Sequence, residues 1–351
     1  MRAVKIKKPA LMQVFLFLQH AFILPLKKVL IIRFSSIGDI VLTSPVIRCL
    51  KTQVKHIEIH FLTKKSFLSA LNENPYLDKI HCLENSTKEL IEDLKKENYD
   101  FIIDLHNNIR TKSVKIKLGK PAFSFKKLNI EKWLLVNLKI NKMPEIHIVD
   151  RYLETIAPFG AVNDNKGLDY FIAKTDELEP KSLPPSHQNE YIAFVIGGQH
   201  ATKRLPLEKI ISICHKIEIP IILLGGKEDL AMAEKIEAEC GTEKIYNACD
   251  KYSLNQSAGI VKQAKKVITH DTGLMHIAAA FKKDILSVWG NTVPAFGMYP
   301  YLAGENSKIT EVKNLSCRPC SKIGYDKCPK GHFKCMNLID EQEITLWANK
   351  S

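Results

Sequence analysis

Short apolar segments that are typical of buried strands alternate with helical segments along most of this 351-residue chain. The first apolar run, Val29–Arg33, is followed by a polar turn and then by a helix, and the same order starts again at Tyr191. Because parallel strands must be joined by long connections, usually helices, this order predicts parallel sheets covered by helices on both faces. A chain of this length is also expected to form about two domains.

The polar segment Asp176–Glu190 divides this alternation into two halves. It contains three prolines and shows no periodicity, which is typical of a linker. We therefore predict an N-terminal extension (1–27), an α/β domain (28–175), a linker (176–190) and a second α/β domain (191–351). The predicted strands are Val29–Arg33, Ile57–Leu62, Phe101–Leu105, Tyr191–Ile196, Pro220–Leu224, Lys266–Thr269 and Ile285–Trp289. The predicted helices are Asp39–Leu50, Thr87–Asn98, Val149–Phe159, Leu207–Ile217, Asp229–Glu239, Ser253–Gln263 and Gly273–Phe281.

The composition limits the class of protein. Hydrophobic residues make up 45% and charged residues 25%, which is typical of a folded chain. The formal net charge of +13 predicts an anionic partner, and charge alone leaves nucleic acid, a phospholipid surface and a phosphorylated substrate open. Nine cysteines, an odd number, argue against a secreted disulfide framework and favour a reducing, cytoplasmic location.

The apolar segment Ala10–Leu26 lies close to the N-terminus and follows three lysines. It is short for a membrane span, contains polar residues, and is not followed by a small-residue cleavage site. We interpret it as a packed extension or an over-long gene start, with a membrane-associating segment as the alternative.

The turn after the first strand, Ser35–Asp39, contains the first candidate site. Gly38 permits close backbone approach, and the start of the following helix favours an anion or a carboxylate cap. Helix capping by Asp39 is the simpler explanation. However, ligands of doubly wound sheets bind beyond the carboxyl ends of the strands, where Asp39 is expected to lie. Asp39 is therefore a candidate functional carboxylate.

Three further turns follow strands in the second half of the chain. In Gly197–Pro206, Lys203 is able to neutralise a phosphate, although a solvated loop lysine fits equally. After Gly225 and Gly226, Glu228 is placed to bind ribose hydroxyls or simply to complement a helix dipole.

The third turn belongs to the segment His270–Ala280. Thr272 and Gly273 would present backbone N–H groups at a helix start, which suits a pyrophosphate. The alternative is that Asp271 caps the helix and that His276 is a core histidine.

Taken in order, these motifs resemble glycosyltransferase family 9, the ADP-heptose:lipopolysaccharide heptosyltransferases. The resemblance runs from about Lys27 to Met336, and its most specific part is HDTGLMHIAAAF. The other matching segments are KVLIIRFSSIGDIVLTSPVIRCLK, DLHNNIRT, HIVDRYL, GG…KRLPLE and LLGGKED. The resemblance implies an α/β fold of two Rossmann-like domains facing across a cleft, the GT-B arrangement, with the acceptor on the first domain and the nucleotide sugar on the second.

The resemblance also implies roles for individual residues and inversion at the anomeric carbon. Asp39 resembles the catalytic base, Lys203 the lysine on the donor phosphates, and Glu228 a ribose ligand. Asp271, Thr272 and Gly273 are expected to contact the sugar and the pyrophosphate. His276 is expected on the donor side, and the resemblance assigns it no role. The residues expected on the acceptor side are Ser36, Gly38 and Arg110. No Asp-x-Asp pair, the common site of a divalent metal, occurs in the sequence, so we expect no catalytic metal or other cofactor. Lys203 and the helix start at Thr272 would stabilise the leaving diphosphate instead.

The partners that the resemblance implies are a nucleotide-sugar donor, ADP-heptose in this family, and an anionic lipid-linked glycan acceptor. Residues 110–132 contain eight basic side chains against the single acid Glu131, which predicts contact with the inner-membrane surface or, alternatively, a solvated helix face. We thus expect a cytoplasmic, peripheral membrane protein. A related transferase of another sugar for a different surface glycan remains an alternative.

Two other classes of protein fit the sequence poorly. A nucleic-acid-binding protein is disfavoured, because no basic stripe with interleaved aromatic residues occurs. An oxidoreductase is disfavoured because no G-x-G-x-x-G follows the first strand.

The C-terminal part contains a cysteine cluster. Cys317 and Cys320 form a C-x-x-C pair, followed by Cys328, His332 and Cys335. This spacing predicts a structural zinc site, with free thiols or disulfides as the alternatives.

Overall fold

The computed structural model describes residues 28–84 and 87–350. The predicted extension at residues 1–27 lies outside this range. No helix within the described ranges is long and apolar enough to cross a membrane.

The first half of the chain forms a five-stranded parallel sheet. Its strands are Lys28–Ile32 (β1), Glu58–Lys64 (β2), Lys79–Leu83 (β3), Phe101–Asp104 (β4) and Ala122–Ser124 (β5). The helices of this half are Ile37–Val41 (α1), Ser44–Gln53 (α2), Thr87–Lys96 (α3), Ile109–Leu118 (α4), Asn129–Trp133 (α5) and Ile148–Leu153 (α6).

The second half forms a six-stranded parallel sheet. Its strands are Ile192–Val195 (β6), Ile221–Leu224 (β7), Ile245–Asn247 (β8), Lys266–His270 (β9), Asp284–Trp289 (β10) and Lys308–Glu311 (β11). Its helices are Leu207–Lys216 (α7), Leu230–Cys240 (α8), Leu254–Gln263 (α9), Gly273–Ala280 (α10), Lys334–Asn337 (α11) and Glu341–Asn349 (α12).

Both sheets have the strand order of doubly wound proteins. The order is β3-β2-β1-β4-β5 in the first and β8-β7-β6-β9-β10-β11 in the second. Each order reverses beside its first strand, between β1 and β4 and between β6 and β9, and ligands of such sheets bind at this switch point. The predicted α/β fold of two Rossmann-like halves is therefore confirmed, and the candidate turns follow strands next to the two switch points.

The two halves meet where α1 packs against α10. A Cβ atom added to Gly38 would lie 2.6 Å from Cδ2 of His276, and one added to Gly273 would lie 3.1 Å from Cγ2 of Ile37. A side chain at Gly38 would collide with His276, and one at Gly273 would require Ile37 to shift. Gly38 therefore permits the close packing of the facing half, in addition to its predicted place on the acceptor side of the site.

Several elements differ from the prediction. The single helix expected over Asp39–Leu50 is split into α1 and α2, because Pro45 lies in the first turn of α2 and cannot continue α1. The helix expected over Val149–Phe159 ends at Leu153 and continues as a 3-10 helix. Four strands were not predicted, namely β3, β5, β8 and β11, and each lies at or beside a sheet edge.

Candidate active site between the two halves

Asp39 is held in place by its own turn and by the end of β1. Its Oδ1 atom lies 2.7 Å from Nη2 of Arg33. Its Oδ2 atom accepts hydrogen bonds from the backbone N–H of Ser36 (3.1 Å) and from the Ser36 hydroxyl (2.9 Å). The capping role is thus real, but the carboxylate side chain remains 18% exposed and adjoins the other half of the chain.

The charge state of Asp39 is set by opposing effects. Burial alone would raise the pKa of the carboxyl group, but the charge of Arg33 and the hydrogen bonds from Ser36 outweigh it, so the pKa lies below its ordinary value. Asp39 is consequently ionised at neutral pH, as a group that accepts a proton must be.

Arg33 was not identified from the sequence, although it fixes the position of Asp39. Its guanidinium donates to the Leu105 carbonyl oxygen (2.6 Å), the Tyr152 hydroxyl (2.9 Å) and the Ser35 carbonyl oxygen (2.7 Å). These contacts tie the turn after β1 to β4 and α6. In the sequence Arg33 is merely the polar end of an apolar strand, and the matching segments that contain Arg33 and Tyr152 gave no sign that the two side chains meet.

On the facing half, Lys203 lies beside Asp271. Its Nζ atom is 2.6 Å from Oδ2 of Asp271, and the same oxygen accepts a hydrogen bond from the Thr292 hydroxyl at 3.1 Å. The two turns after β6 and β9 are thereby joined at one rim. An ammonium group has three donors, so Lys203 can bind a phosphate oxygen while still contacting Asp271.

Arg204 and Asp229 support the same rim and were also missed by the sequence analysis. Arg204 Nη1 lies 2.7 Å from Oδ1 of the buried Asp229, whose Oδ2 accepts the Gly226 N–H at 2.9 Å. A Cβ added to Gly197 would lie only 2.4 Å from this oxygen. The glycines after β6 and β7 therefore make room for an internal ion pair.

The start of α10 retains its capacity for an anion. Thr272 is the N-cap residue, but its side chain does not cap the helix and instead lies 3.2 Å from the Thr269 hydroxyl. Helix N-terminal N–H groups without a side-chain cap favour a phosphate.

Glu228 is exposed after β7 on the same sheet, as expected for a residue that meets a ligand from solution.

His276 lies between the two candidate centres. It is 2% exposed, its Nδ1 has no hydrogen-bond partner among the described residues, and it packs on Gly38. Burial lowers the pKa of His276 to about 4, while the charges of Asp271 and Asp39, one from each half, act in the opposite direction. His276 is therefore a neutral imidazole close to both carboxylates.

Arg110 is not part of this arrangement. It is exposed at the second position of α4, and no contact to Asp39 is found for it within residues 28–84 and 87–350. Of the residues predicted on the acceptor side, only Ser36 and Gly38 lie at the site.

The C-terminal cysteines lie near one another, but their described contacts do not form a set of four converging metal ligands. Cys317 Sγ lies 3.9 Å from Nε2 of His332, and Cys320 Sγ donates to the Cys317 carbonyl oxygen at 3.1 Å. Burial, followed by the charges of Cys320 and other members of the cluster, raises the pKa of Cys335 to about 11. All four are free thiols, so the disulfide alternative is not what the structure contains.

One other cluster has the residue types of a metal site. His60, His81 and Glu97 bring ligand atoms within 4.8 Å of one another. The Glu97 oxygens, however, already contact Lys28 (2.8 Å) and Lys79 (2.5 Å). Two ammonium groups at this carboxylate disfavour a further cation, and the cluster is a buried ion-pair and hydrogen-bond network.

Two doubly wound halves that meet beside a carboxylate on one side and a lysine at a helix start on the other have the arrangement of the GT-B fold. The family model described as glycosyltransferase family 9 (heptosyltransferase) matches residues 87–328, well over half of the chain, and the chain belongs to this family.

Individual relatives agree with this assignment. The chain is 26% identical over 344 residues to lipopolysaccharide heptosyltransferase 1 of Campylobacter coli, covering 90% of this chain and 96% of that protein. The crystal structure of a family 9 glycosyltransferase from Veillonella parvula superimposes with a TM-score of 0.75 at 21% identity, covering 93% of this chain and 97% of that one. The structure of the Escherichia coli heptosyltransferase WaaC with ADP superimposes with a TM-score of 0.64 at 19% identity, covering 91% of this chain and 98% of that one.

Proposed function

We propose that this enzyme transfers a heptose from ADP-heptose to a lipopolysaccharide core or a related lipid-linked glycan, with inversion at the anomeric carbon. The observation that supports this most strongly is the opposed placement of Asp39 and the Lys203–Asp271 pair on the two sides of the α1–α10 contact. The relatives support the sugar, since they include lipopolysaccharide heptosyltransferases and WaaC bound to ADP-2-deoxy-2-fluoro heptose.

The proposed mechanism begins with proton transfer to Asp39. A carboxylate has about four lone-pair sites, and the contacts from Arg33 and Ser36 use three of them. The remaining site on Oδ1 accepts the proton of the acceptor hydroxyl as its oxygen bonds to the anomeric carbon. The bond from that carbon to the diphosphate breaks on the opposite side, which inverts the configuration.

The leaving diphosphate is stabilised by the second half of the chain. Lys203 supplies a positive charge, and the N–H groups at the start of α10, beginning at Gly273, supply a positive dipole end. Asp271 keeps Lys203 oriented, and Glu228 binds the ribose hydroxyls. In this assignment, residues 28–175 bind the acceptor and residues 191–351 bind the donor.

We further propose that part of the first half contacts an anionic membrane surface from one side. Large apolar side chains within residues 109–140 are exposed among the basic residues, including Ile109 (85%), Ile116 (79%), Ile130 (73%) and Trp133 (53%). Ile109 and Ile116 are seven residues apart on α4 and therefore share one face. Apolar side chains surrounded by lysines are typical of surfaces that insert into the lipid headgroup region.

Replacing Ile116 and Trp133 together by glutamate is expected to lower binding to phosphatidylglycerol-containing vesicles at least about tenfold, because two apolar anchors are lost. Co-sedimentation at physiological salt measures this. Leu346→Glu, at a side chain that is 65% exposed on α12, is the matched control and should bind like the unaltered protein. Equal binding of all three proteins would disprove the assignment of this surface.

We propose a structural zinc in the C-terminal cluster, bound by Cys317, Cys320 and Cys328 together with either Cys335 or His332. Protein purified under reducing conditions with zinc present is expected to contain about one zinc per chain, and four protein ligands would leave no position for substrate. Elemental analysis measures it. The double variant Cys317→Ser/Cys320→Ser should lose the metal. The control Cys240→Ser, outside the cluster, should keep it. If the unaltered protein contains no metal, the site is excluded.

A further inference from the structure

The turn that carries Lys203 is bound to a segment that the transfer step does not use, residues 317–325, which we call the brace. Thr202 comes directly before Lys203 and is 2% exposed. The Thr202 N–H and the Thr202 hydroxyl donate to the Tyr325 carbonyl oxygen at 3.1 Å and 3.0 Å. In return, the Tyr325 N–H donates to the Thr202 hydroxyl at 2.8 Å. The backbone next to Lys203 is therefore fixed to the brace by three hydrogen bonds.

The brace also holds the turn after β10, through Arg318. The Arg318 side chain is 6% exposed and lies 2.7 Å from a carboxylate oxygen of Glu311, which balances its charge. Its Nη2 donates to the Thr292 carbonyl oxygen at 2.9 Å, and its Nε donates to the Gly290 carbonyl oxygen. Because the donors of a guanidinium form a rigid fork, Arg318 fixes the relative positions of these two carbonyl groups.

The two turns held by the brace meet at the Lys203–Asp271 pair. The Thr292 hydroxyl donates at 3.1 Å to Oδ2 of Asp271, the same oxygen that lies 2.6 Å from Lys203 Nζ. The turns are also joined directly, because the Asn291 N–H donates to the Thr202 carbonyl oxygen at 3.4 Å. The backbone of Lys203 and the side chain that orients its ammonium group thus both depend on contacts made by the brace.

Such support matters for a lysine in particular. Its ammonium group stands on a flexible four-carbon stem, and ordering that stem on a ligand costs conformational entropy. When Asp271 and the backbone of the turn are fixed in the folded protein, less of this entropy is lost at the moment the donor binds. The affinity for the diphosphate should therefore depend on residues that do not contact it.

We infer that Thr202 and Arg318 are positioning residues for the donor diphosphate and that they act through Lys203 and Asp271. Both side chains are buried and are bonded to other groups of the protein, so neither is required to contact the ligand. The inference rests on the proposed function, because it takes Lys203 as the lysine that binds the diphosphate. The segment that contains the C-terminal cysteines thereby takes part in donor binding.

Calorimetric titration with ADP tests the inference without any transfer reaction. Thr202→Val keeps the shape of the side chain but removes its hydroxyl, and it should weaken ADP binding about tenfold. Thr202→Ser restores the hydroxyl and should bind ADP within about threefold of the unaltered enzyme. Arg318→Lys keeps the charge but not the fork, and it should also weaken ADP binding about tenfold. If Arg318→Lys does not fold, the two Thr202 variants carry the test alone.

The decisive comparison repeats Thr202→Val and Arg318→Lys in the Lys203→Ala background. Residues that act through Lys203 lose their effect once Lys203 is gone, so each further substitution should then change ADP binding less than about twofold. A general distortion of the second half would instead weaken ADP binding by the same factor with and without Lys203, and that result would overturn the inference.

Thr345→Val is the matched control. Thr345 is also a buried threonine of the second half, 7% exposed, and its hydroxyl donates to the Gln342 carbonyl oxygen at 3.2 Å on α12. This variant should bind ADP within about twofold of the unaltered enzyme, and a loss equal to that of Thr202→Val would contradict the inference.

The same titrations separate this inference from the proposed function. If Lys203→Ala weakens ADP binding but neither Thr202→Val nor Arg318→Lys does, the inference is wrong and the donor role of Lys203 stands. If Lys203→Ala leaves ADP binding unchanged, the proposed donor role of Lys203 is wrong, and the inference is refuted with it.

Discussion

Asp39→Asn is expected to lower turnover by roughly 10²–10⁴-fold with ADP-heptose, the loss typical of removing a general base. An asparagine keeps the size of the side chain and can still accept from Ser36, but it cannot accept the proton of the acceptor hydroxyl. Binding of ADP-heptose should be unchanged, because the proposed donor contacts lie on the facing half. Steady-state kinetics together with calorimetric donor titration measures both quantities.

The substitution also breaks the contact with Arg33, and this effect has to be separated from chemistry. The loss of this ion pair should lower the free energy of unfolding by about 1–3 kcal/mol, because the buried Arg33 loses the carboxylate that balances its charge and keeps only neutral acceptors. Asp164→Asn is the matched control, since Asp164 pairs with the buried Arg48 at 2.8 Å and is 16% exposed against 18% for Asp39. A comparable loss of turnover in Asp164→Asn would remove Asp39 from the mechanism.

The second large effect is expected for Lys203→Ala, which should raise the barrier of the transfer step by roughly 2–4 kcal/mol, or about 30- to 1,000-fold in kcat/KM for the donor. In the proposed mechanism the substitution removes the charge that offsets the developing diphosphate, and among residues 28–84 and 87–350 it leaves Asp271 with the Thr292 hydroxyl as its side-chain partner. Repulsion between Asp271 and the diphosphate then adds to the loss. The KM for the acceptor should change little, which kinetics with each substrate varied in turn will show.

Lys209→Ala provides the corresponding control. The Nζ atom of Lys209 lies 3.0 Å from a Glu341 carboxylate oxygen, and the Lys209 side chain is 17% exposed. The corresponding values for Lys203 with Asp271 are 2.6 Å and 16%. Lys209 lies on α7, away from the contact of the two halves. Its loss should leave both kinetic constants nearly unchanged. Unaltered turnover and unaltered donor KM in Lys203→Ala would exclude Lys203 from donor binding.

The central strands and their turns were predictable because their signals are local. β1, β6, β7 and β9 are buried along nearly their full length and appear in the sequence as apolar runs that end in glycine- or aspartate-containing turns. The edge strands β3 and β11 are less completely covered than the central strands, and polar residues such as Lys79, Lys308 and Glu311 interrupt their apolar runs. The helical pattern after β1 did not reveal the break at Pro45 because its apolar positions continue through it.

The candidate site was predictable in part from its motifs. Asp39, Lys203 and Asp271 stand in turns after strands, where ligands of such sheets bind, and they lie at the contact of the two halves. Arg33, Arg204 and Asp229 belong to the same matching segments, but they were missed because their function depends on partners distant in sequence, for instance Arg33 with Leu105 and Tyr152.

The C-terminal segment shows a similar limit. Cys317–Cys335 was considered only as a metal site, whereas its hydrogen bonds join it to Lys139 in the first half and to Thr202, beside Lys203, in the second. No pattern in one sequence indicates which distant elements a loop will join, because that depends on packing of the complete fold.

The most direct test is to incubate the purified enzyme with ADP-heptose and the glycan acceptor isolated from a strain that lacks this protein, and to follow the acceptor by mass spectrometry and NMR. The unaltered enzyme should add one heptose with inverted anomeric configuration, and Asp39→Asn should leave the acceptor nearly unmodified over the same time. Addition of heptose with retained configuration, or equal addition by Asp39→Asn, would contradict a direct displacement in which Asp39 is the base. An unmodified acceptor with the unaltered enzyme would contradict the assigned transfer itself.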